Sequence, residues 1–415
     1  MAATTAATAK PRSALAHPGF RWFIVTYLLA MMADNIEHVI SYKVMHDALH
    51  STALGGFAVL SHWVPYLGLS VWVGSLNDRF DSRRIIQLGM VLFISASLGW
   101  GYCFVTNTLS IPIACALLIL HGLAGVFWGT SSQMLLYDIV GPELLPSAVR
   151  LNATARYLGV LVGPGVGVLL MNAVGYNRGI LVNTLFYTPL LGWMIAAPYG
   201  RHFRAAGAAG AKRAVKGLAD IAQTIRDVRP VPVIGAMLAL AGAASFFVGN
   251  AYQAQMPQFA DDLGRGDASI YYSMLLGADA SGALCAGILL ETTRAILPMR
   301  PRVAMGLSLC WAAALAAFAL CGSYPISLAC LFCAGFFELS FSSMAQALVQ
   351  INAPDAIRGR VLGLYNMTSL GLRSFSGITV GLVGSVLTVH VSLALAAAGF
   401  AATMLAFMSR IRKRN

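Results

Sequence analysis

The chain has 415 residues, of which 58% are hydrophobic and only 11% charged, and its formal net charge is +12. A soluble domain carries about 25% charged residues, so this composition excludes a soluble globular protein. The 41 glycines point the same way, because membrane helices use small residues to let backbones pack closely.

Residues 1–20 are Ala/Thr-rich, hold Lys10 and Arg12, and lack an apolar core. They are expected to form a disordered cytoplasmic tail and not a cleavable signal peptide. A spanning helix needs about 20 mostly apolar residues. Twelve such stretches follow: 21–45, 52–76, 85–106, 109–137, 151–174, 179–198, 231–256, 268–291, 302–322, 325–350, 360–387 and 389–409. Turn chemistry separates them at Asn107-Thr108, Gly141-Pro142, Tyr176-Asn177 and Ser323-Tyr324-Pro325. Residues 199–230 differ in composition, with Arg201, Arg204, Lys212, Arg213, Lys216, Arg226 and Arg229 around an Ala/Gly stretch. The expected architecture is all-α integral membrane: a six-helix bundle over 21–198, a basic cytoplasmic linker over 199–230, a second six-helix bundle over 231–409, and a basic tail over 410–415. Cys330 and Cys333 lie inside one apolar stretch and read as small packing residues, not as a redox or metal site.

If both termini lie on one side, that side collects all of the 28 lysines and arginines except Lys43, Arg178, Arg265 and Arg373. The side is therefore cytoplasmic. Positive-inside topology also accounts for the +12 charge without a nucleic-acid partner. The two halves carry a repeat. Asn152, Gly163 and Gly167 recur at one constant offset as Asn366, Gly377 and Gly381, and Gly74-x-Leu76-x-Asp78 is echoed by Gly287-x-Leu289-x-Glu291. Repeats related by an axis along the membrane normal place a transport site between the halves, near mid-membrane.

Several ionisable residues fall inside spans, where a charge costs several kcal/mol and marks a partner or a function. Asp34, Glu37, His38 and Ser41 follow i, i+3, i+4 and i+7, one helix face, beside Asn35. A lipid-facing stripe of this kind is untenable, so the face is expected to line a water-filled cavity. Two carboxylates one turn apart repel when both are ionised, so Asp34 and Glu37 are expected to share a proton, with Asp34 as carrier and His38 as relay. A static Asp–His–Glu cluster that fixes helix packing is the alternative. Asp279 and Glu338 are further proton-coupling candidates, and Glu338 with Arg373 is a candidate ion pair on consecutive spans. Candidate cavity residues are Asn35, Ser41, His121, Trp128, Ser132, Gln133, Asn250, Gln253, Ser342 and Gln346. His62 and His121 are lone histidines of the kind that pack or hydrogen-bond.

Gly74-Ser-Leu-Asn-Asp78-Arg79-Phe-Asp-Ser-Arg83-Arg84 between spans two and three resembles the signature gating loop of the major facilitator superfamily. Gly159-x-x-x-Gly163-Pro164-x-x-Gly167 resembles that superfamily's antiporter motif; it also reads as an ordinary small-residue packing face. Residues 139–170 and Arg358-Gly-Arg360-Val-Leu-Gly-Leu-Tyr-Asn366-Met367 are similar to its transmembrane secretion effector branch, the enterobactin-exporter-like group. Leu118 stands near the place of the superfamily's span-four arginine, and His121 at a position often held by Gln. The resemblance implies cavity-lining spans one, four, seven and ten and transport by rocking of two halves.

No Walker loop, HExxH or GxSxG is present, so neither ATP drive nor these hydrolytic chemistries are supported. The expectation is a secondary, proton-coupled exporter of a small amphipathic, siderophore- or drug-like molecule, in the inner membrane. Its partners are that substrate, protons and the lipid bilayer. It is expected to act as a monomer, without nucleic acid, cofactor or metal, and not as an enzyme. The alternatives are a proton-coupled importer of the same fold and a non-transporting membrane sensor. The topology has a direct check: a cysteine placed at Ala208 in the linker is expected to stay unlabelled by an impermeant maleimide in intact cells and to label after permeabilisation.

Overall fold

The computed structural model describes residues 13–49, 52–200, 219–249, 251–265, 269–293, 297–376, 380 and 383–412. Asn250, most of the central linker and the outer parts of both expected tails lie outside the described residues. Among the described residues there is no strand, and nine helices are long and apolar enough to cross a membrane.

The first half is built from α1 (Pro18–Leu49), α2 (Thr52–Arg79), α3 (Ser82–Thr106) and α4 (Ile111–Ala196). Local chemistry sets the ends. Asp81 caps α3 by accepting from the Arg83 amide at 3.0 Å, and Asn107 ends it in the left-handed conformation with φ 53°. α4 runs over 86 residues but is broken at Gly141 (φ 69°) and Gly175 (φ 78°). Both φ values favour glycine, and Pro142 follows the first of them. The break at Gly141-Pro142 was expected; the second lies one residue before Tyr176. α4 therefore reads as three segments, 111–140, 142–174 and 176–196.

The second half comprises α5 (Ala219–Val228), α6 (Pro232–Phe247), the short helices α7 (Ala251–Ala254) and α8 (Met256–Ala260), α9 (Ser269–Thr293), α10 (Pro301–Leu320), α11 (Tyr324–Asn352), α12 (Arg358–Asn366), α13 (Arg373–Ser376), α14 (Val383–Val386) and α15 (Val389–Arg412). Two expected spans are interrupted. Span seven breaks after α6, where Gly249 has φ 51° and packs against Ser376. Span eleven loosens into a π-turn at Met367–Gly371 between α12 and α13. Wide turns of this type are inserted where a helix must bend.

One motif sits differently from its sequence reading. Asn77 to Arg79, expected beyond the end of span two, extend the last turn of α2, and only Phe80 and Asp81 separate α2 from α3. The helix persists through polar Asn77 and Asp78 because their side chains find partners. Asn77 donates to the Val73 carbonyl and to Ser131 Oγ, both at 2.9 Å, and Asp78 reaches the other half.

The two halves meet along α2 and α12 with almost no side chain between them. A Cβ on Gly359 would lie 2.2 Å from the Gly74 carbonyl oxygen, and one on Gly363 would lie 2.2 Å from that of Ser70. Higher on the same seam, Gly371 packs on Leu67. Such contacts are the small-residue solution to packing helices without a hydrophobic driving force. Ser70 is fully buried in this seam. With the native cysteines removed, a cysteine at Ser70 is expected to resist a maleimide in the purified protein. Gly359→Val overpacks the seam, at a cost of about 1–3 kcal/mol, and is expected to raise that cysteine's labelling rate at least about tenfold.

Candidate functional site

The polar stripe of α1 is buried, and its partners come from neighbouring helices. His121 on the first segment of α4 sits between the two carboxylates: its Nε2 is 2.8 Å from Asp34 Oδ1 and its Nδ1 is 2.8 Å from Glu37 Oε1. Ser97 on α3 donates to the other Glu37 oxygen. Ser41 turns back to the Glu37 carbonyl at 2.7 Å. This corrects two expectations. Asp34 and Glu37 do not face each other as a repelling pair, because an imidazole that can carry positive charge bridges them. His121 is not a lone cavity residue: it is 4% exposed and committed to both acids. It supplies a cation-capable group in the helix where Leu118 had suggested none.

Glycines bring these groups together. At Gly122 a Cβ would lie 1.9 Å from the Ser61 carbonyl oxygen, so α2 and α4 touch beside His121 and His62. The His38 ring centroid is then 4.7 Å from that of His121 and 5.1 Å from that of His62. Gly159, Gly163 and Gly167 form the face of α4 that receives α1, meeting Met31, Asn35 and Ile36 respectively. Asn35 is thereby part of a helix contact, and its amide donates to the Met31 carbonyl at 2.8 Å. Pro164 lies within the same segment. Trp128 packs edge-on against Phe93 in the first half's core, which removes it from the cavity wall. Ser132 is buried as well.

In the second half, Asp279 on α9 is 2% exposed. Its Oδ2 accepts from Tyr252 Oη at 3.1 Å and from Gln253 Nε2 at 3.0 Å. Gly335 lets α11 lie directly on the Asp279 backbone. Glu338 and Arg373 approach to 3.9 Å, and the Arg373 guanidinium also lies 5.2 Å from the Trp63 ring of the first half. Ser245, Trp311, Glu338, Ser342, Tyr365 and Arg373 surround one cavity. Gln133 crosses between halves to donate to Asn366 Oδ1 at 2.9 Å, and Gln346 is half-buried on α11.

At the end of the molecule that holds the α2–α3 turn, Asp78 accepts from the Gly359 amide at 2.6 Å, the Arg360 amide at 3.1 Å and the Arg360 guanidinium at 3.3 Å. Arg360 is 0% exposed and also donates to Asp220 on α5 at 3.1 Å. The described contacts of the motif's arginines lie within their own half. Arg83 pairs with Asp81 at 2.9 Å and donates to the Ala197 carbonyl at 2.5 Å, Arg84 reaches Gln87, and Arg79 lies exposed over Phe80. The repeat generates a counterpart. Glu291 on α9 pairs with Arg150 at 3.1 Å and accepts from Ser147 at 2.6 Å and Ser13 at 2.5 Å. Sequence reasoning did not single out Asp220, Ser97 or Ser147. The Glu291 echo of Asp78 was the one signal toward the second cluster.

A family model described as Major Facilitator Superfamily matches residues 22–377. The enterobactin exporter EntS of Shigella boydii is 25% identical over 385 residues, covering 90% of this chain and 86% of that protein, and the EntS of Escherichia coli O1:K1 matches equally. Among solved structures, a human organic anion transporter superposes with a TM-score of 0.72 at 13% identity, covering 94% of this chain and 99% of the other. The transporter FucP in its outward conformation gives 0.72 at 12% identity, covering 93% and 98%.

His121→Ala leaves two buried carboxylates facing an emptied site. The expected loss is about 3–5 kcal/mol of stability, read by denaturation in detergent, and part of it should return when Asp34→Asn and Glu37→Gln are added.

Proposed function

We propose that this chain, which belongs to the major facilitator superfamily, is a proton-coupled exporter of a small amphipathic organic molecule. It works by alternating access in the inner membrane, with both termini and the central linker cytoplasmic. The end closed by Asp78 and Arg360 is then the cytoplasmic gate, and the closed gate corresponds to the state that faces outward. Similarity to enterobactin exporters over most of the chain supports export of a siderophore-like or drug-like solute. The aromatic walls around Trp311 and Tyr365 suit an amphipathic one.

The observation that carries proton coupling is Asp279. It is buried, and the donors it meets, Tyr252 and Gln253, are neutral. A carboxylate in that setting takes up a proton in place of a counter-charge. The carboxylates of α1 have His121 for this purpose, so the coupling role moves from Asp34 to Asp279. Tyr252 and Gln253 belong to α7, immediately after the break at Gly249. Rocking that displaces this short helix changes the donors around Asp279 and lets the proton leave on the opposite side. The proton enters from outside as substrate departs, and it is released inward before substrate binds again.

Asp279→Asn mimics the permanently protonated carrier. In inside-out vesicles with an imposed pH gradient, this variant is expected to lose uphill substrate accumulation while keeping downhill exchange. Retained gradient-driven accumulation by Asp279→Asn would remove Asp279 from the mechanism. Accumulation by wild-type right-side-out vesicles under an inward proton gradient would instead identify an importer.

A further inference from the structure

His38 on α1, His62 on α2 and His121 on α4 come from three different helices, yet each can place a ring nitrogen within 4.8 Å of the others. We propose that these three imidazoles, with Asp34 as an oxygen ligand, bind one divalent first-row transition-metal ion of the zinc class. This site goes beyond the transport reading and does not depend on it. No metal was expected from the sequence, because the three histidines are far apart in the chain and form no short ligand motif.

Four observations converge on the site. The first is the donor set: imidazole nitrogens with one carboxylate suit zinc and its neighbours in the series. The second is His62 Nδ1, a buried ring nitrogen with no hydrogen-bond partner among the described residues. His121 Nε2 and Asp34 Oδ1 are 2.8 Å apart, and an ion bound by both at about 2.0–2.2 Å needs them to part only slightly. The third is the support behind the ligands. His121 Nδ1 is held by Glu37 at 2.8 Å, and Glu37 in turn accepts from Ser97. A ligating histidine fixed through its second nitrogen by a carboxylate is the usual outer-shell arrangement of metal sites.

The fourth is charge. Asp34 and Glu37 place two carboxylates against His121 in the membrane interior. A divalent ion bound by neutral imidazoles balances both, which matters where an unmatched charge costs several kcal/mol. Arg373 lies against Glu338 and Trp63. His38 and His62 are only half-buried while His121 is buried, so an ion can reach the site past His38 and His62.

The test uses the full chain in detergent, with any affinity tag removed and metal stripped by a chelator. Titration with Co²⁺ is expected to give the visible absorption of a four-coordinate ion at one equivalent, displaced by Zn²⁺. His38→Ala and His62→Ala should each weaken Co²⁺ binding at least about tenfold, and Glu37→Gln by about 10–100-fold as an outer-shell change. His390→Ala, at a histidine paired with Asp262 in the other half, should leave binding unchanged. X-ray absorption of the Zn²⁺-loaded wild type is independent of whether any variant folds, and it should show imidazole scattering from three histidines. A spectrum that survives loss of His38 and His62 together, no four-coordinate Co²⁺ in the wild type, or fewer than three imidazoles around Zn²⁺ would each overturn the proposal.

Discussion

Arg360 is wholly buried at the seam between the two halves, and the surrounding structure is arranged to neutralise it. Its guanidinium lies between Asp78 of α2 and Asp220 of α5, while Asp78 also takes two amide hydrogens from the start of α12. The carboxylate therefore binds both a cation and a helix N-terminus, where backbone donors and the helix dipole favour negative charge. Removing one partner of such a buried group costs about 3–5 kcal/mol, since the other is left uncompensated. The arrangement is possible only because Gly74 and Gly359 allow backbone contact; a Cβ on Gly74 would stand 2.1 Å from the Gly359 carbonyl oxygen. The packing glycines and the ionic cluster are two parts of one contact. The repeat builds a related cluster around Glu291, with Ser147 and Arg150 as donors, so the two halves are tied at two places.

The interior charges of the two halves are handled differently, and this separates their roles. In the first half, His121 ties Asp34 to Glu37, and Ser97 and the Gly122 contact hold the group among α1, α2, α3 and α4. That cluster is cross-linked on every side and suits a rigid binding site. In the second half, Asp279 rests on two neutral donors beside a broken helix, and Arg373 follows a π-turn. Elements that change their partners belong where the backbone is already interrupted. In the proposed transport cycle this division gives the rigid part to α1–α4 and the moving part to the segments around α7 and α12–α13.

Much of this was readable in the sequence where a local rule applied. Asn107, Gly141-Pro142 and Ser323 punctuate helices because backbone conformation is set locally, and a helix ends, breaks or begins at each of the three. The α1 stripe was visible because helical spacing puts its residues on one face. Long-range partnerships were not visible. His121 lies 84 positions from Glu37, and a single histidine in an apolar span carries no mark of its partner. Asp220 was hidden in a linker dominated by basic residues, although it neutralises the most buried cation of the seam. The last turn of α2 was read as loop because Asn77, Asp78 and Arg79 fail any apolarity test. Their helicity depends on partners across the seam, which hydropathy does not register. The break in span seven was missed because Gly249 is one glycine among many in a chain that uses them for packing.

The account rests on Asp78 and Arg360 holding the two halves together at one end, and a distance measurement tests this directly. Spin labels at Phe80 and Asp355, both exposed near the seam, report the separation of the halves by pulsed electron–electron resonance. The wild type is expected to show one dominant short distance. Asp78→Asn, which keeps the side-chain shape and removes the charge, should add a longer-distance population of open molecules. Identical distance distributions in the two proteins would contradict the account, because the halves would then be held closed by packing alone.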